Sequence, residues 1–237
     1  MISIIFYIYT VAICTVMLIV SAVALLITLP FDKPRRVVHE LSRALVHMFF
    51  CVPPMWRRKV VGMENLDPEK AYVIVINHQA MTDIMALYFL PLNFRWVSKR
   101  EVFRIPFFGQ FLVLHGDIAI ERGKGAEAMH KVLEDGRKWI GRGVSVAMFP
   151  EGTRSKDGEI HRFKAGAFAL AKEADVEILP VVMTGTNTLV RPNKLFNWRN
   201  EIVLKVLPPV RVGDDDKATA EAVRESMIEA LNEIRSK

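Results

Sequence analysis

The sequence predicts an α/β sandwich around a largely parallel sheet, preceded by an N-terminal helical membrane anchor. Three observations predict it. Short apolar runs rich in β-branched residues alternate with stretches of helical spacing. Polar turns follow those runs at Asn77-His78, Glu121-Arg122 and Glu151-Gly152-Thr153-Arg154. Finally, Met1 to Phe31 carries no charged side chain. Alternating strands and helices favour parallel pairing, and the carboxyl ends of parallel strands converge on one edge. The polar turns are therefore expected to meet in one cleft.

As a helix, Ile2 to Leu29 is about 42 Å long, more than the roughly 30 Å hydrocarbon core of a bilayer. A cleaved signal peptide has a basic start and a shorter apolar region. This chain has neither, so the run reads as a retained anchor. Lys33, Arg35 and Arg36 follow it, which places the C-terminal side in the cytoplasm by the positive-inside rule. Beyond Pro30 and Pro34, Val37, Val38, Leu41, Ala44, Leu45, Met48 and Phe49 recur at helical spacing, with Arg36, His39, Glu40 and Arg43 on other faces. That pattern is an amphipathic helix suited to the bilayer surface or to packing on the first helix; its alternative is an ordinary core-facing helix. Pro53 and Pro54 end it. Trp56-Arg57-Arg58-Lys59 combines an aromatic with basic residues, a group fit for an anionic headgroup region. Anchoring helices are expected over 1–59 and the globular body over 60–237.

Within the body, Ala71–Ile76 and Phe94–Ser98 read as strands. Pro106 and Gly109 divide two short helical pieces after Lys99, among large apolar residues from Phe103 to Leu112 expected mostly in the core. Asp117–Ile120 is a strand, Lys124–Ile140 a helix and Val144–Phe149 a strand. Ala165–Ala174 is a helix, Glu177–Met183 and Ile202–Val206 are strands, and Ala218–Ile234 is a final amphipathic helix. Asp214-Asp215-Asp216 reads as a solvated turn and helix start rather than a metal site.

The chain has 237 residues, 51% hydrophobic and 24% charged, which supports a packed core and argues against general disorder. A net charge of +6 suits nucleic acid, anionic lipid or phosphorylated small molecules alike. No arginine-rich tract, helix-turn-helix pattern or zinc spacing supports nucleic acid. Cys14 and Cys51 stand in apolar surroundings and read as buried free thiols.

The chain is organised around Asn77-His78-Gln79-Ala80-Met81-Thr82-Asp83. Residues five apart do not share a helical face, so only a turn can bring His78 and Asp83 together, with Thr82 or Asp83 near a helix N-cap. A carboxylate that fixes the imidazole tautomer makes a base able to deprotonate a hydroxyl near neutral pH. The alternative is a strand-end histidine and a capping aspartate. Arg122 and Arg154, at strand ends, offer guanidinium groups matched to phosphate oxygens.

Four blocks in order resemble the 1-acyl-sn-glycerol-3-phosphate acyltransferases and their glycerolipid acyltransferase relatives. They are Asn77-His78-x4-Asp83, Gly116-Asp117-Ile118-Ala119-Ile120-Glu121-Arg122, Phe149-Pro150-Glu151-Gly152-Thr153-Arg154-Ser155, and Leu179-Pro180-Val181. The resemblance spans about Val60 to Met183, and departs at Glu121 and Ala119, where relatives often have Asp and Phe. It implies a glycerolipid-acyltransferase-like fold in which His78, helped by Asp83, deprotonates the acceptor hydroxyl. Glu151 and Gly152 would shape acceptor binding, Lys99, Arg122 and Arg154 would hold its phosphate, and Asn77 and Thr153 count among the binding positions. The implied reaction moves an acyl group from acyl-coenzyme A or acyl carrier protein to lysophosphatidic acid at the membrane. It needs no metal, no cofactor and no covalent enzyme intermediate, so Ser98 and Ser155 are not nucleophiles. Other acceptors are glycerol-3-phosphate, another lysophospholipid or a lyso-aminolipid; a lipid hydrolase and a non-catalytic lipid-binding protein are alternatives of other classes. His115 and His161 are expected to have only local roles.

Overall fold

The computed structural model describes residues 2–51, 56–121, 125–189 and 200–236. Two helices come first, α1 (Ile2–Thr28) and α2 (Arg36–Cys51). The body runs β1 (Trp56–Val61), β2 (Val73–Ile76), α3 (Asp83–Ala86), β3 (Phe94–Lys99), α4 (Phe108–His115), β4 (Ile118–Ile120) and α5 (Gly125–Ile140). It continues through β5 (Ser145–Met148), α6 (Gly166–Glu173), β6 (Ile178–Thr184), β7 (Asn200–Val206) and α7 (Asp216–Arg235). The strands form one sheet in the order β1-β7-β6-β2-β5-β3-β4. Every neighbouring pair is parallel except β6 and β7. The α/β expectation holds, with one antiparallel pair near an edge.

β2 lies inside the sheet, and its side chains alternate between two cores. Ile74 and Ile76 join one with Val46 and Phe50 of α2 and Ile84 and Ala86 of α3. Val73 and Val75 join the other, with Val132 of α5, Phe168 and Leu170 of α6 and Met227 of α7. All four strand residues are fully buried, which is worth about 1.5–3 kcal/mol for each side chain. Asp215 caps α7 by accepting from the N–H groups of Lys217 and Ala218 at 2.8 and 3.1 Å, the helix start expected of the acidic run.

The N-terminal region departs from expectation in four ways. First, β1 is an unforeseen strand, parallel to β7 from Trp56↔Asn200 to Val61↔Lys205, so the boundary expected after residue 59 falls inside it. Second, Trp56 is buried and packs on Phe49 and Phe50, leaving only Arg57, Arg58 and Lys59 exposed. Third, the buried face of α2 is the row Val38, Ser42, Val46 and Phe50 together with His39, whereas Val37 and Met48 are exposed. The i, i+4 row that meets the sheet decides this face, and a buried partner draws His39 inward. Fourth, Cys51 is exposed, although both thiols are free. Pro53 and Pro54 lie outside the described residues. In α1, Ile8–Thr28 is long and apolar enough to cross a membrane, and only 6% of its most apolar stretch is buried within the protein.

The partner of His39 belongs to a buried polar cluster. His39 Nδ1 and His115 Nε2 are 2.8 Å apart, and His115 Nδ1 is 2.8 Å from Asp117 Oδ1. Asp117 Oδ1 also accepts the Trp96 N–H at 2.7 Å. The fully buried Arg95 donates to the Pro34 carbonyl and to His115 Nε2. One tautomer satisfies the chain: each histidine carries its proton on Nδ1 and is neutral. Burial holds both histidines well below their ordinary pKa and raises Asp117 to about 7. His115 is thus a structural link between α2 and the sheet, not the incidental residue expected.

Candidate active site

β2 delivers Asn77 and His78 at its carboxyl end, and the turn over Gln79–Thr82 brings Asp83 back to His78. Asp83 Oδ2 accepts from His78 Nδ1 at 2.8 Å and from the N–H groups of Gln79 and Ala80 at 2.6 and 2.8 Å. Asp83 is fully buried, while the side chain of His78 keeps 14% of its exposure. Three donors on one oxygen demand an ionised acceptor. The proton therefore sits on Nδ1, and Nε2 is the proton-accepting nitrogen. Thr82 occupies the N-cap position without a side-chain cap, its hydroxyl donating instead to the Thr186 carbonyl at 3.0 Å.

The loop after β5 supports this pair in ways the sequence did not reveal. The Phe149 ring stacks on His78 at 3.8 Å and on Trp96 at 4.9 Å. Glu151 is 6% exposed, and its two oxygens accept from the backbone N–H groups of His78 at 3.2 Å and His161 at 3.0 Å. Burial raises its pKa, and the two N–H donors oppose that shift. The Ser155 N–H closes the loop on the His78 carbonyl at 2.8 Å. The Ser155 hydroxyl donates to Asp157 and accepts from the Gly158 N–H, so it stabilises a turn. Asn77 is also buried, and its amide exchanges two hydrogen bonds with the Met183 backbone, at 2.9 and 2.8 Å. Asn77 and Glu151, expected as binding residues, direct these polar atoms to the scaffold around His78.

His78 opens onto a groove of about 930 Å³. Lys99, Gly152, Thr153 and Arg154 line it as expected, and Lys156 and Lys164 line it unforeseen. Its apolar wall includes Ile84, Val97, Ile105, Met129, Val132 and Met148. Gly152 has φ +72°, a left-handed conformation that L side chains rarely adopt. Glu121 lies on the rim and pairs with Arg100. Arg122 lies outside the described residues. Among the described residues no group of three or more His, Cys, Asp or Glu side chains converges as a metal site requires.

Fold and site define a class: an α/β domain that presents a carboxylate-held imidazole to a cationic groove. A family model described as Acyltransferase matches residues 57–184, more than half of the chain, and the chain belongs to that family. It is 34% identical over 212 residues to a 1-acyl-sn-glycerol-3-phosphate acyltransferase from Chlamydomonas reinhardtii, covering 86% of this chain and 62% of that protein. It is 37% identical over 187 residues to the 1-acyl-sn-glycerol-3-phosphate acyltransferase of Saccharomyces cerevisiae, covering 74% of this chain and 60% of that one. The chain thus matches about three-fifths of the length of these curated relatives. The crystal structure of the 1-acyl-sn-glycerophosphate (LPA) acyltransferase PlsC from Thermotoga maritima shares the fold. Its TM-score is 0.78 at 20% identity, over 99% of this chain and 97% of that one.

Proposed function

We propose that the protein transfers an acyl group from acyl-coenzyme A or acyl carrier protein to the sn-2 hydroxyl of lysophosphatidic acid, giving phosphatidic acid. It is then an O-acyltransferase of phospholipid biosynthesis. The observation that carries this reading is the 2.8 Å bond between His78 Nδ1 and Asp83, which leaves Nε2 to take a proton. Family membership and the names of the relatives supply the acyl chemistry and the acceptor.

In this mechanism Nε2 of His78 removes the hydroxyl proton as the oxygen attacks the thioester carbonyl. Asp83 stabilises the resulting imidazolium. The tetrahedral intermediate collapses, the carbon–sulfur bond breaks, and the imidazolium returns its proton to the departing thiolate. Lys99 and Arg154, with the Gly152–Thr153 loop, hold the acceptor phosphate, and the apolar wall takes the acyl chain. No metal or further cofactor enters. α1 anchors the chain in a bilayer, the cytoplasmic membrane in a bacterial cell, and Lys33, Arg35 and Arg36 keep the body on the cytoplasmic side.

The test is thiol release from acyl-coenzyme A and from acyl carrier protein by detergent-solubilised protein, with and without lysophosphatidic acid, tracking the lipid by mass. Acceptor-dependent release with matching phosphatidic acid supports the reading. Fatty-acid release without an acceptor would identify a hydrolase. Transfer only to another lysolipid or to glycerol-3-phosphate would reassign the acceptor.

A further inference from the structure

Lys164 belongs to none of the motifs, yet it is built into the groove. Its N–H donates to the Pro150 carbonyl at 2.9 Å, tying it to the start of the loop that carries Glu151 to Ser155. Its side chain folds back over that loop: a β-carbon placed on Gly152 would lie 2.7 Å from Lys164 Nζ and 2.9 Å from Cε. The ammonium thus occupies the space beside the one residue of the loop that has no side chain.

Charge balance indicates what the ammonium meets. Most acidic groups nearby are engaged elsewhere: Glu121 with Arg100, Asp157 with His161, Glu159 with Arg235, and Glu151 with two backbone N–H groups, which leaves Glu101 as a groove carboxylate outside these pairs. Among the described residues no ion pair engages Lys164, Arg154 or Lys99. With Lys156, these make four groove cations outside any ion pair among the described residues, against the one such carboxylate, Glu101. That excess of positive charge suits an anionic ligand such as a phosphate. A planar guanidinium and a point-like ammonium on the same loop can approach different oxygens of one phosphate.

Two substrates carry phosphate, and the loop's position chooses between them. Glu151 and Ser155 bind the backbone of His78 directly, so a phosphate on this loop lies close to the hydroxyl that His78 deprotonates. In lysophosphatidic acid the phosphate ester sits on the carbon next to that hydroxyl carbon. In acyl-coenzyme A the long pantetheine arm separates the thioester from every phosphate.

We infer that Lys164 completes the phosphate pocket, its ammonium binding a non-bridging oxygen of the acceptor phosphomonoester opposite Arg154. This rests on the lysophosphatidate reading of the groove. The experiment is steady-state kinetics of the full chain and of Lys164→Ala, Lys164→Gln and Lys164→Arg, with lysophosphatidic acid and with phosphate-free 1-acylglycerol. Loss of one charge-assisted hydrogen bond predicts a KM for lysophosphatidic acid raised about 10- to 100-fold in the Ala and Gln variants. Their KM for acyl-coenzyme A and their turnover of 1-acylglycerol should stay within about twofold of the unmodified chain. Lys164→Arg should recover most of the loss.

An unchanged KM for lysophosphatidic acid, an equal loss with both acceptors, or a raised KM for acyl-coenzyme A would overturn the inference. Matching thermal unfolding of Lys164→Gln and the unmodified chain separates a binding loss from a folding defect. The unmodified chain tests the underlying reading separately. If it fails to acylate lysophosphatidic acid, that reading falls and takes this assignment with it; if only the variants behave otherwise than expected, the assignment alone falls.

Discussion

The imidazole of His78 lies flat on the ring of Phe149, with centroids 3.8 Å and planes 12° apart. Asp83 fixes the imidazole in its own plane, and Phe149 fixes its face. Phe149→Leu keeps apolar volume and removes the flat support. A stacked pair is worth about 0.5–1.5 kcal/mol, so kcat should fall by up to about tenfold with both KM values little changed. An unaltered kcat would mean that Asp83 alone orients the ring.

Glu151 separates a positioning role from an acceptor-binding role. Its carboxylate holds the His78 backbone at 3.2 Å and the His161 backbone at 3.0 Å. Glu151→Ala should lower kcat about 100-fold, the cost of a misplaced catalytic group, while KM for lysophosphatidic acid changes only a few-fold. A large rise in that KM at constant kcat would restore the binding role that the family resemblance implies.

Asp83→Asn tests the tautomer argument. An amide offers one acceptor oxygen where Asp83 Oδ2 serves three donors, and its NH2 faces those donors on rotation. Loss of the correct tautomer and of charge stabilisation should reduce kcat about 10³- to 10⁴-fold, and His78→Ala at least 100-fold. Both variants should still sediment with membranes. Activity near that of the unmodified chain in His78→Ala would remove His78 as the base.

The buried cluster predicts how stability changes with pH. Unfolded histidines bind protons near 6.5, whereas folded His39 and His115 do so only well below that value. The unfolded chain therefore binds more protons in that interval, and these two groups lower stability as pH falls through 6.5. Asp117 acts oppositely: it is protonated up to about 7 when folded and only near 3.8 when unfolded, so its contribution is lost as pH rises between them. Arg95, lowered only to about 10, keeps its charge throughout. Two protons against one leave a net loss that is small near the histidine value and approaches about 1.4 kcal/mol per unit of acidification roughly a pH unit or more below it. His39→Phe removes one histidine and should flatten that slope, read as Tm between about pH 5 and about 8. An equally steep slope would place the acid sensitivity elsewhere.

How much was legible in the sequence follows from what fixes each residue. His78, Asp83 and Arg154 were legible from residue type and their place at strand ends and turns, whereas Lys99, Gly152 and Thr153, which line the same groove, were singled out only by the family resemblance. For Asn77 and Glu151 the position was legible but not the direction: burial turned their polar atoms toward Met183, His78 and His161. Phe149 was hidden in an apolar run, and the available signal was its place just before Pro150 at the same sheet edge as His78. β1 was obscured because three of its first four residues are basic; it pairs along one side with β7 and exposes those side chains. His39 broke the polar-outside rule because its partner, His115, lies 76 residues away in sequence.

The clasp between α2 and the sheet makes the N-terminal segment inseparable from the rest. A chain starting at residue 60 would lose the first four residues of β1, and Val46 and Phe50 would vanish from one of the two cores. His115 would face a hole where His39 had been, and Arg95 would lose the Pro34 carbonyl. Trimming the whole segment through residue 59, rather than α1 alone, would therefore unroof the sheet behind the active site. Solubility is better sought by recoding the exposed side chains of α1, which leaves every interior partner in place.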